Sequence, residues 1–175
     1  MASPSTSKNG PEPFSLLGLS PAFEIDLSAL EKAFFEKSKE LHPDRYAQAP
    51  AAERVAALTK ARALNDAYQT LKKPVPRAEY LLERAGVTIG ANEKLDPRFL
   101  MEVLELREEL AEARHAGKSA EVQRLQAVMV TRRKAVLAKL PALFAANDLP
   151  AIKEQLMVLR YLDRYLVECD VALEE

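Results

Sequence analysis

The feature that most restricts how this chain can fold is Pro43, set between His42 and Asp44 and between two stretches of helical periodicity. A proline fixes its own φ and drives the residue before it out of the α region, so no helix runs on through His42. On the N-terminal side Leu27, Leu30, Phe34 and Leu41 share one face at helical spacing, with Ser38 on the same stripe. Lys32, Glu36 and Lys39 lie on the opposite, solvated face. The helix is expected to begin near Asp26 or Ser28: Asp26 can cap it directly, and Ser28 with Glu31 also spells a capping box. After a loop from Pro43 to Pro50, a longer pattern runs from about Ala51 to Leu71, with Leu58, Ala61, Leu64, Tyr68 and Leu71 marking its inward side. The expected product is an antiparallel helical hairpin with the His42-Pro43-Asp44 loop at its tip.

Prolines and glycines divide the rest of the chain. Phe14 to Leu19 reads as a short apolar turn of helix with Gly18 as its C-terminal cap, and Ser20-Pro21 opens a further short turn. Pro74 and Pro76 interrupt the chain before a short helix over Arg77–Ala85, capped by Gly86. Residues 87–95 read as a linker containing Gly90 and Asn92. Three helical patterns follow. The first runs from Asp96-Pro97 to about His115, ending before Gly117. The second runs from about Ser119 to Leu140, with Val122, Leu125, Met129, Val136 and Leu140 on one side. The third runs from about Asp148 to Leu173, carrying Ile152, Leu159, Leu162, Leu166 and Leu173, after a break at Pro141 to Asn147. Three helices with short connections predict an antiparallel three-helix bundle over 96–175. The fold class is all-α, because few β-branched and aromatic stretches alternate with period two.

Composition excludes several functions. The formal charge is −1, so affinity for nucleic acid through phosphate neutralisation is a poor default. One cysteine, Cys169, allows no internal disulfide and no CxxC zinc pair; it lies on an apolar helix face and reads as core. Met1 to Pro13 is rich in Ser, Pro and Lys without an apolar segment, which reads as a disordered tail rather than a secretory signal. No run of about 18 apolar residues suggests a membrane span. No nucleophile with an adjacent base is visible, so an enzyme is not expected. His115, near a helix C-terminus, suits the helix dipole better than catalysis.

The tripeptide gains meaning from what surrounds it. The opening Phe14 to Leu19, the His42-Pro43-Asp44 loop and the later Asn65, Ala67, Tyr68 and Leu71 stand in order and spacing. Over residues 14–86 the chain resembles a J-domain. J-domains bind the ATP-loaded form of a DnaK-type chaperone and stimulate its ATP hydrolysis, and that stimulation depends on this loop. The resemblance assigns His42, Pro43 and Asp44 to chaperone binding. Pro43 would make the loop's exit rigid, Asp44 would accept from an arginine of the partner, and His42 would donate or stack. Arg45, Lys32 and Lys39 would supply positive charge, although Glu31, Glu36 and Glu40 dilute it where family members are more basic. A plain solvated face remains an alternative for the lysines.

The helix after Pro97 carries more apolar surface than a bundle needs. Phe99, Val103, Leu106 and Leu110 make one inward stripe. Met101, Glu105, Glu108 and Glu112 make a second stripe opposite the first, with Leu100 and Leu104 on its shoulder. An exposed apolar patch bordered by carboxylates should face a partner; packing of Leu100 and Leu104 inside the protein is the alternative. Tyr161 on the last helix lies off the main stripe and could join the patch. The run from Phe99 to Leu110, with Pro76 to Leu82 and Leu159 to Asp163, resembles the HscB family. That family binds the iron–sulfur scaffold protein IscU through a helical bundle, delivers it to the DnaK-type chaperone HscA and promotes cluster transfer. Its scaffold-contact positions fall here on Leu100, Met101, Leu104, Glu105, Glu108, Glu112 and Tyr161, the last often Phe in the family. Eukaryotic members of that family can carry an N-terminal cysteine-rich zinc module; these residues spell none, which suggests a bacterial-type cytoplasmic member, and no cofactor or metal is expected. The alternatives are a J-protein serving a different client and a structural adaptor whose tripeptide is vestigial.

Overall fold

The computed structural model describes residues 12–174, and the proposed tail over residues 1–11 lies outside them. Every regular element among the described residues is helical. They are α1 (Pro13–Leu16), α2 (Leu27–Glu40), a 3-10 turn (Pro43–Tyr46), α3 (Ala51–Lys72), α4 (Pro74–Arg84), α5 (Pro97–His115), α6 (Ser119–Ala145) and α7 (Leu149–Glu174). They form two compact units, one ending at Gly86 and the other beginning at Val87.

In the first unit α3 is the spine against which α1, α2 and α4 pack. Phe14, Leu17, Leu30, Leu64, Ala67 and Leu71 form its core, with Phe34, Leu41, Tyr68 and Tyr80 packed around them. The Phe34 and Tyr68 rings stack at 4.1 Å and 10°. Asp26 is the cap of α2, accepting from the backbone N–H groups of Ser28 and Ala29, so the direct cap forms here. Glu12 and Pro13, read from sequence as the end of the tail, are structured. Pro13 is the first residue of α1 and the Glu12 carboxylate caps it, accepting from the N–H groups of Phe14 and Ser15. Glu12 also accepts from the Tyr80 hydroxyl at 2.9 Å and from Arg84 at 3.0 Å, which ties the start of α1 to α4. Gly18 (φ 68°) closes α1 in a Schellman turn, with Leu19 N–H donating to the Phe14 carbonyl. Ser20-Pro21 makes only a bend.

Three expectations in this unit fail for local reasons. Pro74 and Pro76 do not precede α4 but open it, since the first turn of a helix has no internal acceptor for its N–H groups. Leu58, placed on the buried side of α3, is 62% exposed. The inward seam uses Ala57, Leu64, Ala67 and Leu71, and Leu58 is turned about 100° from Ala57. Leu27, in the first turn of α2, is also exposed.

The second unit is a three-helix bundle. α6 and α7 pack along their length, and α5 lies more lightly on the pair. Its core includes Val103, Leu110, Val122, Leu125, Met129, Leu140, Ile152, Leu156, Leu159 and Leu162. α6 continues through Pro141 to Ala145, where sequence suggested a break at the proline. One lost hydrogen bond near the end of a long packed helix does not stop it. The stop comes at Asn147 (φ 53°), with Asp148 N–H bonded to the Leu143 carbonyl. The segment before α5 is anchored within the unit: Leu95 is buried, and Glu93 pairs with Lys153 at 2.5 Å. Among the described residues no helix is long and apolar enough to cross a membrane.

Candidate functional site

Two surfaces, one on each unit, carry the residues singled out by sequence. The first is the turn at the end of α2. His42 is the N-cap of the 3-10 turn and its Nδ1 accepts from Asp44 N–H at 3.3 Å. Nδ1 also lies 3.5 Å from the Asp44 carboxylate. These contacts exclude each other, because an Nδ1 that accepts from an N–H carries no proton. The backbone contact belongs to the neutral ring with its proton on Nε2, which leaves Nε2–H available as a donor. Pro43 occupies the first position of the turn, where its fixed φ suits a helical start. The Asp44 side chain is 92% exposed and the His42 side chain 59%. Tripeptide and Arg45 therefore face solvent, and α3 backs the turn from behind. Lys32 and Lys39 are exposed on α2, together with Glu31, Glu36 and Glu40. This turn presents a carboxylate, an imidazole and a guanidinium to solvent.

The second surface is the outer side of α5. Its start is set by Asp96, which accepts from Arg98 N–H at 2.8 Å, with Pro97 as first residue. Val103 and Leu110 are buried, and Phe99 and Leu106 half-buried, as the inward stripe requires. Met101 and Leu104 are 58% and 51% exposed, and Glu105, Glu108 and Glu112 are exposed beside them. Leu100 is half-buried at the edge. Tyr161 is half-buried and meets Phe99 edge-on, with ring centroids 5.9 Å apart at 89°.

Long-range polar contacts that sequence did not reveal hold α5 in this orientation. Arg132 of α6 makes a bidentate pair with Glu102, at 2.6 and 2.8 Å, and lies over the Phe99 ring at 5.4 Å. Arg107 reaches Glu168 of α7 at 3.0 Å. The buried Tyr165 hydroxyl donates to the Leu106 carbonyl at 2.9 Å. These partners are 30 to 61 residues apart, so no local spacing could have signalled them. They also order the face. At about 100° per residue Arg107 lies on the Leu100–Leu104 shoulder of α5 and Glu102 on the opposite shoulder. α7, with Tyr161, therefore flanks the apolar shoulder, and α6 flanks the acidic one. Cys169 is fully buried, and burial with the neighbouring Asp170 and Glu168 pushes its thiol up to about 11, so it stays protonated in the core. Among the described residues no group of three or more His, Cys, Asp or Glu is placed to hold a metal ion.

Comparison with known proteins covers both surfaces. A family model described as the DnaJ domain matches residues 12–80, and one described as the HSCB C-terminal oligomerisation domain matches residues 95–170. The chain is similar to the co-chaperone protein HscB homolog of Azoarcus sp. (strain BH72), with 41% identity over 92% of this chain and 93% of the relative. Among solved structures it resembles chaperone HscB from Vibrio cholerae, with TM-score 0.79 and 36% identity over 93% of this chain and 97% of that one. It also resembles the human co-chaperone protein HscB, with TM-score 0.85 and 26% identity over 94% of this chain and 83% of that one.

Proposed function

The chain belongs to the HscB family of J-domain co-chaperones, and on that premise we propose that it binds the iron–sulfur scaffold protein IscU and delivers it to the DnaK-type chaperone HscA, whose ATPase it stimulates. The observation that carries the scaffold half is the outer face of α5. Met101 and Leu104 are held half in water although the same helix buries Val103 and Leu110. An apolar patch that the fold presents to solvent, rimmed by Glu105, Glu108 and Glu112, suits a partner with apolar and basic surface. Leu100 and Tyr161 extend it at the α7 side. The chaperone half rests on His42, Pro43, Asp44 and Arg45 at the exposed turn, with Lys32 and Lys39 on the helix leading to it. The protein itself performs no chemistry. Holding scaffold and chaperone in one molecule raises the local concentration of client at the chaperone. The cytoplasm is the proposed site of action.

The test is steady-state ATP hydrolysis by the cognate chaperone with this protein, with and without the scaffold. Each should stimulate, and the two together should exceed the sum of the separate effects. His42→Gln should remove the stimulation while scaffold binding persists. Full stimulation by His42→Gln would refute the role of the turn, and absence of scaffold binding by the native chain would leave a different client as the reading.

A further inference from the structure

α2 exposes two large apolar side chains, Leu27 at 52% and Phe35 at 55%. Eight residues apart, they fall within about 80° of each other on the helix. Their row passes Glu31 and Ser38, and seven residues after Phe35 the chain reaches His42. Phe35 stands three residues after Lys32 and four before Lys39, so both lysines are its neighbours on the helix surface, with Glu31 and Ser38 on its other side. Its ring leans on Phe34, with centroids 5.8 Å apart at 53°, and Phe34 is itself stacked on Tyr68 in the core. Phe35 is thus an exposed ring backed by a packed aromatic stack.

A single exposed apolar side chain needs no explanation. This one differs in its support and its place. Its ring has a stacked aromatic pair, Phe34 on Tyr68, directly beside it. It stands on the helix that ends in the proposed chaperone-binding turn. The charges around it also leave a gap to be filled: Glu31, Glu36 and Glu40 share the exposed surface with Lys32 and Lys39. Exposed charges of mixed sign give weak, salt-screened attraction. An aromatic anchor needs no charge excess.

We infer that Phe35 is an anchoring contact for the DnaK-type chaperone. It seats in an apolar depression bordered by carboxylates, which Lys32 and Lys39 pair with, while the His42–Asp44 turn engages beyond the end of the helix. The inference rests on the J-domain reading above and adds to it a residue that this reading does not use.

The experiment titrates the full chain into the cognate chaperone and follows ATP hydrolysis, giving the half-stimulating concentration and the maximum separately. Phe35→Ser should raise the half-stimulating concentration about tenfold, in the range of an aromatic interface anchor, with the maximum kept at saturation. Phe35→Tyr should restore most of the native value. Phe35→Lys separates an anchor from a basic face: the anchor requires weaker binding, and a tighter or unchanged half-point overturns it. Val167→Ser, at an exposed apolar position of the second unit, is expected to leave the curve unchanged. A half-point for Phe35→Ser within twofold of native, with His42→Gln inactive, overturns the anchor alone. A fully active His42→Gln overturns both the anchor and the reading beneath it.

Discussion

Replacing Met101 and Leu104 by alanine tests the α5 face most directly. Alanine keeps the helix, since it has the best helix propensity. Fully burying a Met or Leu side chain is worth about 1.5–3 kcal/mol. The free protein leaves 58% of Met101 and 51% of Leu104 in water, so a partner can still cover about half of each. Each side chain then contributes about 1 kcal/mol to binding, and the pair about 2 kcal/mol, or about thirtyfold in Kd. The two stand three residues apart and share a partner surface, so the sum is a ceiling. The assay is isothermal titration of purified scaffold protein with the native and doubly substituted chains, with thermal unfolding in parallel. Exposed substitutions of this kind shift stability by about 0.5 kcal/mol or less each, so Tm of the double variant should move by about 4 °C or less. A Kd within threefold of native refutes the argument. So does a large fall in Tm, which would mean that these side chains support the fold rather than a partner.

Two further outcomes follow from the bundle core. Tyr165→Phe deletes the hydroxyl bond to the Leu106 carbonyl and should destabilise the protein by about 1 kcal/mol in denaturant unfolding; an unchanged midpoint would show that the contact adds nothing. Alkaline pH should weaken the protein. The Cys169 thiol is raised from 9.0 to about 11 by burial first and nearby carboxylates second, so its contribution is complete below pH 9 and is lost as pH rises through 11. The loss should reach about 2 kcal/mol by pH 11. Burial also raises the Tyr165 phenol, which adds to the decline above pH 10. Cys169→Ala should flatten the Tm profile between pH 9 and 11, and an equally steep profile would contradict the assignment.

Much of the site could be read from local sequence because its signals are local. The tripeptide lies within three positions, and the α5 stripes repeat within three turns of one helix. Periodicity also separated Phe99, Val103, Leu106 and Leu110, which face inward, from Met101 and Glu108, which do not. It failed where one residue's rotation decides the matter. Leu58 and Ala57 both fit an apolar stripe on α3, and the seam chose Ala57. It also failed where packing overrides a local breaker, as at Pro141 inside α6. Glu12 could not be recognised as a cap tied to Tyr80 and Arg84, because those partners lie 68 and 72 residues away.

By itself the sequence determined an all-helical chain and a proline-stopped turn presenting His42 and Asp44. It also determined an α5 that carries Leu100, Met101 and Leu104 outside its inward stripe, more apolar surface than one side of a bundle can bury. Each of these depends on backbone sterics or on a period of 3.6 residues, and both act over a few positions. Only the tertiary structure decided which neighbouring helix flanks each side of the outer stripe and how far Leu100 and Tyr161 are covered. That choice rests on contacts between residues far apart in the chain: Arg132 with Glu102, Arg107 with Glu168, and the Tyr165 hydroxyl with the Leu106 carbonyl. Such contacts form only once burial of Val103, Leu110 and Ala113 has seated α5 on its neighbours, and they place α7 beside Leu104 and α6 beside Glu102.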